Sequence, residues 1–271
     1  MKISVLINTH KTDVLFDTID SVKTYVTKNI VTVVDGHFWD DWGVNLPQEI
    51  NPIKGFVHNF NRAPYKNYTL GLQETYNRYP DSDWYCYIES DVLFTNDNFK
   101  NIIIKNSDAW MLGNDKRIYG TTVRFPYLDS IMGFEIKETA YFLGCCVFFN
   151  KKFIEKLVEI DFFNKFLDAT KNFKPGYFPD CDSQNVYDIG ENLYPTLAYH
   201  YGGKLVQLAN WNQKFNHWCG DYFRIFPMRW KPDIKWEDNF PEASIMHPIK
   251  NNSEIRTFHK LKRQRKKIKN V

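Results

Sequence analysis

The sequence predicts an α/β fold, in which a single Rossmann-like domain has a mostly parallel central sheet flanked by helices. Apolar, β-branched or aromatic runs recur at residues 2–9, Ile30–Val34 and Trp84–Glu89, and each run ends in polar residues. A segment with apolar residues at helical spacing, residues 13–25, separates the first two runs. Parallel strands that are buried on both faces have continuous apolar sequences, so these observations favour the α/β class.

Length and composition favour one domain. A chain of 271 residues with 43% hydrophobic content suits one substantial core, and we predict a domain over residues 1–255 and a tail over 256–271. The longest apolar run, residues 140–149, is shorter than the roughly 20 residues that cross a bilayer, and the first residues lack a signal-peptide pattern. Five cysteines without paired spacing are typical of reduced thiols, so we expect a cytoplasmic protein.

Basic residues concentrate in the predicted tail. Residues 260–269 hold seven of the 35 Lys and Arg and no acids, which leaves 28 basic and 32 acidic groups before them. Such a tail is attracted to anionic lipid by about 1 kcal/mol per basic residue, or to nucleic acid through counterion release. The alternative is a solvated terminal helix or a disordered end. We expect peripheral contact with the inner, anionic face of a membrane and no nucleic-acid partner.

The first 36 residues predict a strand, a helix and a second strand. A parallel strand-helix-strand unit is right-handed, so Thr9 and Asp35, at the ends of the two strands, should lie side by side on one edge of the sheet. No Gly-x-Gly-x-x-Gly follows the first strand and no Walker A lysine loop occurs in the chain. The pattern therefore excludes the dinucleotide-binding fingerprint and the P-loop class.

Further elements follow at short intervals along the chain. Thr12 or Asp13 is the expected cap of the first helix, and Asn150 is the expected cap of a later one. The other predicted elements are strands at 53–58, 110–112 and 139–149, a helix at 65–79, a helix or short strand at 98–105, helices at 150–158 and 162–168, a helix from about 182 to 201 with a break at Pro195, and a last strand at 204–208.

Two acids, Glu89 and Asp91, come at the end of the strand Trp84–Glu89. Buried carboxylates are costly unless a cation partners them, so we place this pair at the carboxyl edge of the sheet, where open α/β sheets bind ligands. Two hard oxygen donors on a rigid strand end suit Mg²⁺ or Mn²⁺. The alternative is a pair of turn or helix-cap acids. The sequence therefore predicts a divalent-cation site here.

With these features the chain resembles the nucleotide-sugar-dependent glycosyltransferases of the GT-A fold over roughly residues 2–250. The resemblance rests on Ile3-Ser4-Val5-Leu6-Ile7-Asn8-Thr9, Val33-Val34-Asp35-Gly36, Glu89-Ser90-Asp91, Phe142-Leu143-Gly144-Cys145-Cys146 and late histidines. The chain differs from the family at the first position of the acidic motif, where Glu89 replaces Asp. The resemblance implies that residues 1–95 bind a nucleotide-sugar donor, with UDP favoured, and that residues 96–255 receive a glycan, glycolipid, lipid-linked or protein acceptor.

The resemblance also implies roles for single residues. The expected donor-binding residues are Thr9, His10, Asp35, Asn67, Ser90 and Lys250. The expected metal ligands are Asp91, Glu89 and one late histidine. His217 is our first choice because the following Gly220 lets backbone approach a phosphate, and His247, with Lys250 as diphosphate partner, is the second.

A base for the acceptor hydroxyl is predicted on a later acidic loop. Asp180, Asp182 and Asp188 are candidates, because an acid at a helix start near the sheet edge can lie opposite a leaving group in an inverting displacement. Their alternative roles are helix capping and packing, and a retaining enzyme would need no such base.

Two other functions compete with this interpretation. A sugar nucleotidyltransferase also places acids on a Rossmann-like sheet, but its expected glycine-rich basic loop is missing after the first strand, where residues 9–12 contain no glycine. A non-catalytic carbohydrate-binding or nucleic-acid-binding protein would use the tail and the aromatic residues, which make up 17% of the chain and suit a core equally well.

Overall fold

The computed structural model describes residues 1–57, 65–120, 129, 131–133, 135–171, 189–214, 217–225, 243–249 and 254–269. In chain order its main elements are β1 (Ile3–Thr9), α1 (Leu15–Tyr25), β2 (Ile30–Val34), β3 (Pro52–Lys54), α2 (Tyr65–Arg78), β4 (Trp84–Glu89), β5 (Leu93–Phe94), α3 (Lys100–Lys105), β6 (Met111–Gly120), β7 (Glu138–Asn150), α4 (Lys151–Glu159), α5 (Phe162–Ala169), α6 (Ile189–His200), β8 (Leu205–Gln207), β9 (Asn210–Asn212), β10 (His217–Cys219), β11 (Phe223–Ile225), β12 (Ile245–His247) and α7 (Glu254–Lys269).

Within the described residues, seven strands form the main sheet in the order β3-β2-β1-β4-β7-β6-β8. Strands β3, β2, β1 and β4 run parallel, β7 runs antiparallel to both of its neighbours, and β8 is parallel to β6. Every residue of β1 and β2 is buried, which is why both strands have continuous apolar sequences. The predicted α/β class with a mostly parallel central sheet is confirmed.

Helices cover both faces of this sheet because successive strand residues point to opposite sides. In β1, Leu6 joins a core formed with α2, α4, α5 and α6. The alternate residues Val5 and Ile7 join a second core, which contains the buried faces of α1 and α3. The edge between these two helical layers, where the parallel strands end, remains available for a site.

A second sheet, in the order β5-β12-β11-β10-β9, packs over the α1 side of the main sheet. Ile245 of β12 and Phe223 of β11 face the core that contains α1. Met246 and Leu93 point the other way and pack with Ile255 of α7. The second sheet is therefore covered by α7 on its outer face.

The predicted tail is largely helical. The boundary that we predicted at residue 255 falls inside α7, which packs along α1. Two arginines of α7, Arg256 and Arg263, are buried and form ion pairs with Asp17 and Asp20 of α1. Among the described helices, none combines the length and the apolar character needed to span a bilayer.

Several boundaries differ from the prediction. Helix α1 begins after Val14 and has no side-chain cap, so neither Thr12 nor Asp13 caps it. Pro195 lies inside α6 and does not end it, because burial of Leu193, Tyr194 and Leu197 offsets the hydrogen bond that proline removes. The strand predicted at 204–208 is not the last one. Four described strands of the second sheet follow it, namely β9, β10, β11 and β12. Each has three residues, which is too short to show a period.

Candidate functional site

The parallel strands bring polar residues together at one edge of the main sheet. Thr9 pairs with Val34 across β1 and β2, and Asn8 pairs with Glu89 across β1 and β4. The backbone N–H of Asp35 donates to the carbonyl of Thr9 at 2.9 Å. Thr9, Asp35 and Glu89 therefore lie at the carboxyl ends of three adjacent strands, the usual ligand-binding edge of an open α/β sheet.

A tight turn carries the two acids away from β4. The N–H of Val92 donates to the carbonyl of Glu89 at 3.2 Å, which closes the turn, and Asp91 is only 9% exposed. The chain then continues as β5, which pairs antiparallel with β12. This pairing brings His247, at the end of β12, to the acids.

Glu89, Asp91 and His247 form a compact group of potential metal ligands. The His247 Nε2 atom lies 2.9 Å from Oε2 of Glu89 and 3.1 Å from Oδ1 of Asp91, and the three ligand atoms lie within 4.8 Å of one another. Adjacent octahedral ligands at 2.0–2.1 Å from an ion are about 3.0 Å apart, so these separations match a shared ion. Two carboxylates and an imidazole fit Mn²⁺ or Mg²⁺.

Electrostatics at this group favour a cation. Burial disfavours the charged imidazole of His247, but the charge and hydrogen bond of Asp91 outweigh burial and raise the pKa of His247 well above its usual range, with a further contribution from the Cys145 thiol. A metal ion bound to the deprotonated imidazole would supply the same positive charge beside the two carboxylates.

His217, our first choice for the late ligand, is not in this group. It lies on β10 and is buried. The strand register aligns Trp218, Ile225 and His247 in one row across β10, β11 and β12. Side chains in such a row share a face of the sheet, so His217 projects from the opposite face. The geometry favours His247 as the imidazole ligand.

The residues expected to hold the nucleoside lie next to the acids. Asp35 is 2% exposed, and its Oδ1 accepts hydrogen bonds from the backbone N–H of His37 at 2.9 Å and from its Nδ1 at 3.2 Å. The Thr9 hydroxyl donates to the carbonyl of His10 at 2.6 Å, and His10 is exposed at this edge. Asp35 thus fixes the turn after β2, while His10 faces solvent.

The hydrogen bonds of Asn67 and Ser90 hold the backbone near this edge of the sheet. The Asn67 amide accepts from the N–H of Phe56 at 2.5 Å and donates to its carbonyl at 3.1 Å, which ties α2 to the segment after β3. Ser90 is buried, and its carbonyl accepts from the Thr18 hydroxyl at 2.6 Å. Four other predicted site residues lie outside the described residues, namely Asp180, Asp182, Asp188 and Lys250.

Sequence reasoning missed Glu191 in the first turn of α6. Its Oε1 accepts a hydrogen bond from the N–H of Gly144 at 2.6 Å, and a Cβ at Gly144 would lie 3.0 Å from Cγ of Glu191. Burial raises the pKa of Tyr87 well above its usual range, and both Glu89 and Glu191 add to this effect. Glu191 is therefore a further carboxylate near Tyr87. A glycine inside a strand often marks such a close approach, and Gly144 was that signal.

Among known proteins, only solved structures match this chain. No protein-family model matches the chain, and no curated protein matches its sequence. The chain is similar to the glycosyltransferase GlyE of Streptococcus pneumoniae TIGR4 at 11% identity, over 97% of this chain and 60% of that chain, with a TM-score of 0.41. The chain thus spans about 60% of the pneumococcal protein's length.

Two further structures are similar over most of the chain. One is a glycosyltransferase involved in the glycosylation of the major capsid of PBCV-1, with 11% identity, 97% of this chain and 100% of that chain covered, and a TM-score of 0.44. The other is a cytidylyltransferase from Leptospira borgpetersenii, with 13% identity, 78% and 76% covered, and a TM-score of 0.39.

Proposed function

We propose that this chain is a metal-dependent glycosyltransferase, which moves a sugar from a nucleoside-diphosphate donor, with UDP-sugars favoured, to a hydroxyl of a glycan, glycolipid or protein. The observation that carries the proposal is the convergence of Glu89, Asp91 and His247 at the carboxyl edge of the sheet, beside Thr9 and Asp35. That edge is where nucleotides bind to open α/β sheets, and the oxygen-rich ligand set is the kind that holds an ion on phosphates.

The residues of this edge would have different roles in donor cleavage. Breaking the bond between sugar and phosphate leaves negative charge on the diphosphate. A bound divalent ion would neutralise that charge as a Lewis acid. Glu89, Asp91 and His247 hold their ligand atoms in place for that ion because strand pairings fix both segments. Thr9 and Asp35 lie at the ends of the two neighbouring strands, where the nucleoside would bind.

The acceptor hydroxyl requires a base if the sugar is inverted. Asp180, Asp182 and Asp188 remain our candidates from the sequence. Glu191, in the first turn of α6, adds a described carboxylate, which is held by the backbone N–H of Gly144. Lys250 remains the proposed partner of the diphosphate, since it follows β12 by three residues.

Donor hydrolysis tests the proposal. We expect the protein to release nucleoside diphosphate and free sugar from one member of a panel of UDP- and GDP-sugars, and to do so only with Mn²⁺ or Mg²⁺. Asp91→Asn should abolish this hydrolysis, because it removes an anionic ligand. Asp108→Asn is the matched control, since Asp108 is an exposed acid that pairs with Lys204 away from this group.

Two other assays, pyrophosphate release and thermal stabilisation by glycans, test the competing functions. A sugar nucleotidyltransferase would instead release pyrophosphate from a nucleoside triphosphate and a sugar phosphate. A carbohydrate-binding protein would be stabilised against heat by glycans alone, and no nucleotide with Mn²⁺ would add to its stability. Either result would replace the transferase proposal.

We also propose that the outer face of α7 contacts anionic lipid. Three apolar side chains of this face are exposed, with Phe258 at 44%, Leu261 at 50% and Ile268 at 76%. By helical spacing they lie opposite the buried Arg256 and Arg263, and basic residues flank them on both sides. Apolar residues within a basic helical face are typical of helices that lie in a membrane interface, and they favour lipid over nucleic acid.

Vesicle co-sedimentation tests this contact. We expect binding to vesicles that contain phosphatidylserine, weak binding to phosphatidylcholine alone, and release at about 1 M salt, where the Debye length is about 3 Å. Replacing Lys260, Lys262 and Arg265 together with Gln should reduce binding, since each basic residue contributes about 1 kcal/mol. Binding that is unaffected by salt and by this triple variant would contradict the proposal.

A further inference from the structure

Arg256 of α7 contacts both segments that carry the potential metal ligands. Its side chain is 2% exposed, and its Nε and Nη2 donate to the carbonyl of Ile249 at 3.0 and 2.7 Å. Ile249 lies two residues beyond His247. Nη2 also lies 3.5 Å from the carbonyl of Asp91, which itself accepts from the N–H of Ile249 at 2.9 Å. One guanidinium thus bridges the imidazole strand and the acidic turn.

A second path runs from Arg256 to the acidic turn through Thr18 of α1. Nη1 of Arg256 donates to Oδ2 of Asp17 at 2.6 Å and to the Thr18 hydroxyl at 3.3 Å. The Thr18 hydroxyl lies 2.6 Å from the carbonyl of Ser90 and 3.0 Å from that of Val92. A hydroxyl has one donor and two acceptor sites, so Thr18 can accept from Arg256 while it donates to the turn.

We propose that Arg256 is a positioning residue for the metal centre. It fixes the carbonyls around Asp91 and beyond His247, so the carboxylate and imidazole ligands keep the separations of 2.9 and 3.1 Å that suit a shared ion. Burying an arginine is costly, and Asp17 compensates its charge while the carbonyls use its other donors. This inference rests on the metal site of the proposed function.

Arg263 is a matched control within the same helix. It is also fully buried, and it also pairs with Asp17 of α1. Its Nε donates to Oδ2 of Asp20 at 2.9 Å, and the hydrogen bonds that it forms within the described residues go to Asp17 and Asp20. Arg263 therefore anchors α7 as Arg256 does, without a contact to the acidic turn or to Ile249.

The test compares Arg256→Lys with Arg263→Lys in the full chain. Lysine keeps the charge but cannot reproduce the fork of donors that Arg256 spreads over Asp17, Thr18 and Ile249. We expect Arg256→Lys to weaken Mn²⁺ binding about tenfold, the usual effect of losing a contact behind a metal ligand. Arg263→Lys should lower the urea midpoint but leave Mn²⁺ affinity within about twofold. Mn²⁺ alone is the probe, and electron paramagnetic resonance of the free ion measures its binding.

Equal Mn²⁺ affinity in wild type and Arg256→Lys, with urea midpoints lowered alike in both variants, would overturn the positioning role.

If Arg256→Lys does not fold, Thr18→Val and Thr18→Ser replace it, since only serine keeps the hydroxyl that holds the turn. Valine should weaken Mn²⁺ binding and serine should not, and equal affinities would overturn the proposal. A wild type that binds no Mn²⁺ would refute the metal site itself, whereas Mn²⁺ binding without donor cleavage would refute only the transferase.

Discussion

At the scale of single residues, the carboxylates of the candidate site are held in different ways. Asp91 is nearly buried and contacts His247, whereas the Glu89 side chain is 38% exposed beside the same imidazole. Glu191 is fixed by a hydrogen bond from the backbone N–H of Gly144. The first two acids suit a metal shell, and we propose the third as a candidate base for a substrate hydroxyl.

Replacing Glu191 should separate proton transfer from metal binding. Glu191→Gln keeps an oxygen for the N–H of Gly144, so we expect the fold and Mn²⁺ affinity to persist. Sugar transfer to an acceptor should fall by about 10²-fold or more, the usual contribution of a general base. Glu138→Gln is the control, because Glu138 is an exposed acid that accepts a hydrogen bond from Tyr199, which lies in the same helix as Glu191. Transfer rates that match wild type would show that Glu191 is not the base.

A buried histidine on α7 should make stability fall in mild acid. Burial lowers the pKa of His259 to about 4, with the charges of Lys262 and Arg263 adding to the effect. Between its ordinary value of 6.5 and about 4, the unfolded chain binds a proton that the folded chain does not, so stability is full above 6.5 and declines as pH falls. His259 thus accounts for about 2 kcal/mol of the stability lost between about pH 7.5 and pH 5.

Urea unfolding at the two pH values measures this effect. The loss of stability on acidification should be smaller in His259→Gln than in wild type by about that amount, since the other titrating groups are common to both. Identical losses in wild type and His259→Gln would contradict the prediction.

The choice between the two late histidines shows where sequence reasoning stops at this scale. Glu89 and Asp91 could be located because an apolar strand runs directly into them, and buried acids need a cation. His217 and His247 offer no such local signal. Which one reaches the acids depends on how β12 pairs with β5 and β11, and therefore on contacts between segments far apart in the chain.

At the scale of elements, α4 begins as the sequence predicts. The Asn150 side chain accepts from the N–H of Lys152 at 2.9 Å and caps the helix. Asn150→Ala should lower the free energy of unfolding by about 1 kcal/mol, and Asn150→Asp, which keeps the capping oxygen, should lower it less. Urea unfolding of the two variants checks this, and equal losses would indicate that the bond from Asn150 to the carbonyl of Ser107 matters more than the cap.

Long buried strands were predictable as elements, and strands of three residues were not. The boundaries of β2 match the prediction because five β-branched residues follow one another. Strands β9 to β12 contain three residues each, and three residues are too few for alternation between apolar and polar side chains to indicate a strand. They are strands because neighbouring segments pair with them, and no local propensity reports that pairing.

At the scale of the whole molecule, α7 closes the structure. Its inner face covers Met246 of the second sheet, and its two buried arginines neutralise Asp17 and Asp20. The sequence indicated the charge of this segment but not its partners, because a run of basic residues has the same sequence pattern whether its side chains face solvent or a neighbouring helix. Only the positions of the acids on α1 distinguish the two.

Deleting residues 254–271 should therefore destabilise the protein strongly. We expect a loss of about 3 kcal/mol or more, because the partly buried Asp17 and Asp20 lose their partners and apolar surface of β12 becomes exposed. The triple replacement of Lys260, Lys262 and Arg265 with Gln should change stability by less than about 0.5 kcal/mol, since these side chains are exposed. Urea unfolding compares the two proteins. A deletion as stable as wild type would mean that α7 is dispensable for the fold.

The two parts of the metal-ligand group lie 158 residues apart along the chain, from Glu89 to His247. A ribosome therefore makes both carboxylates long before it makes the imidazole and Arg256. Until then the nascent polypeptide has an electronegative rim that lacks its third ligand and its guanidinium bridge. Under the proposed function, an incompletely translated chain cannot cleave its donor, because the ribosome must first make His247 and Arg256.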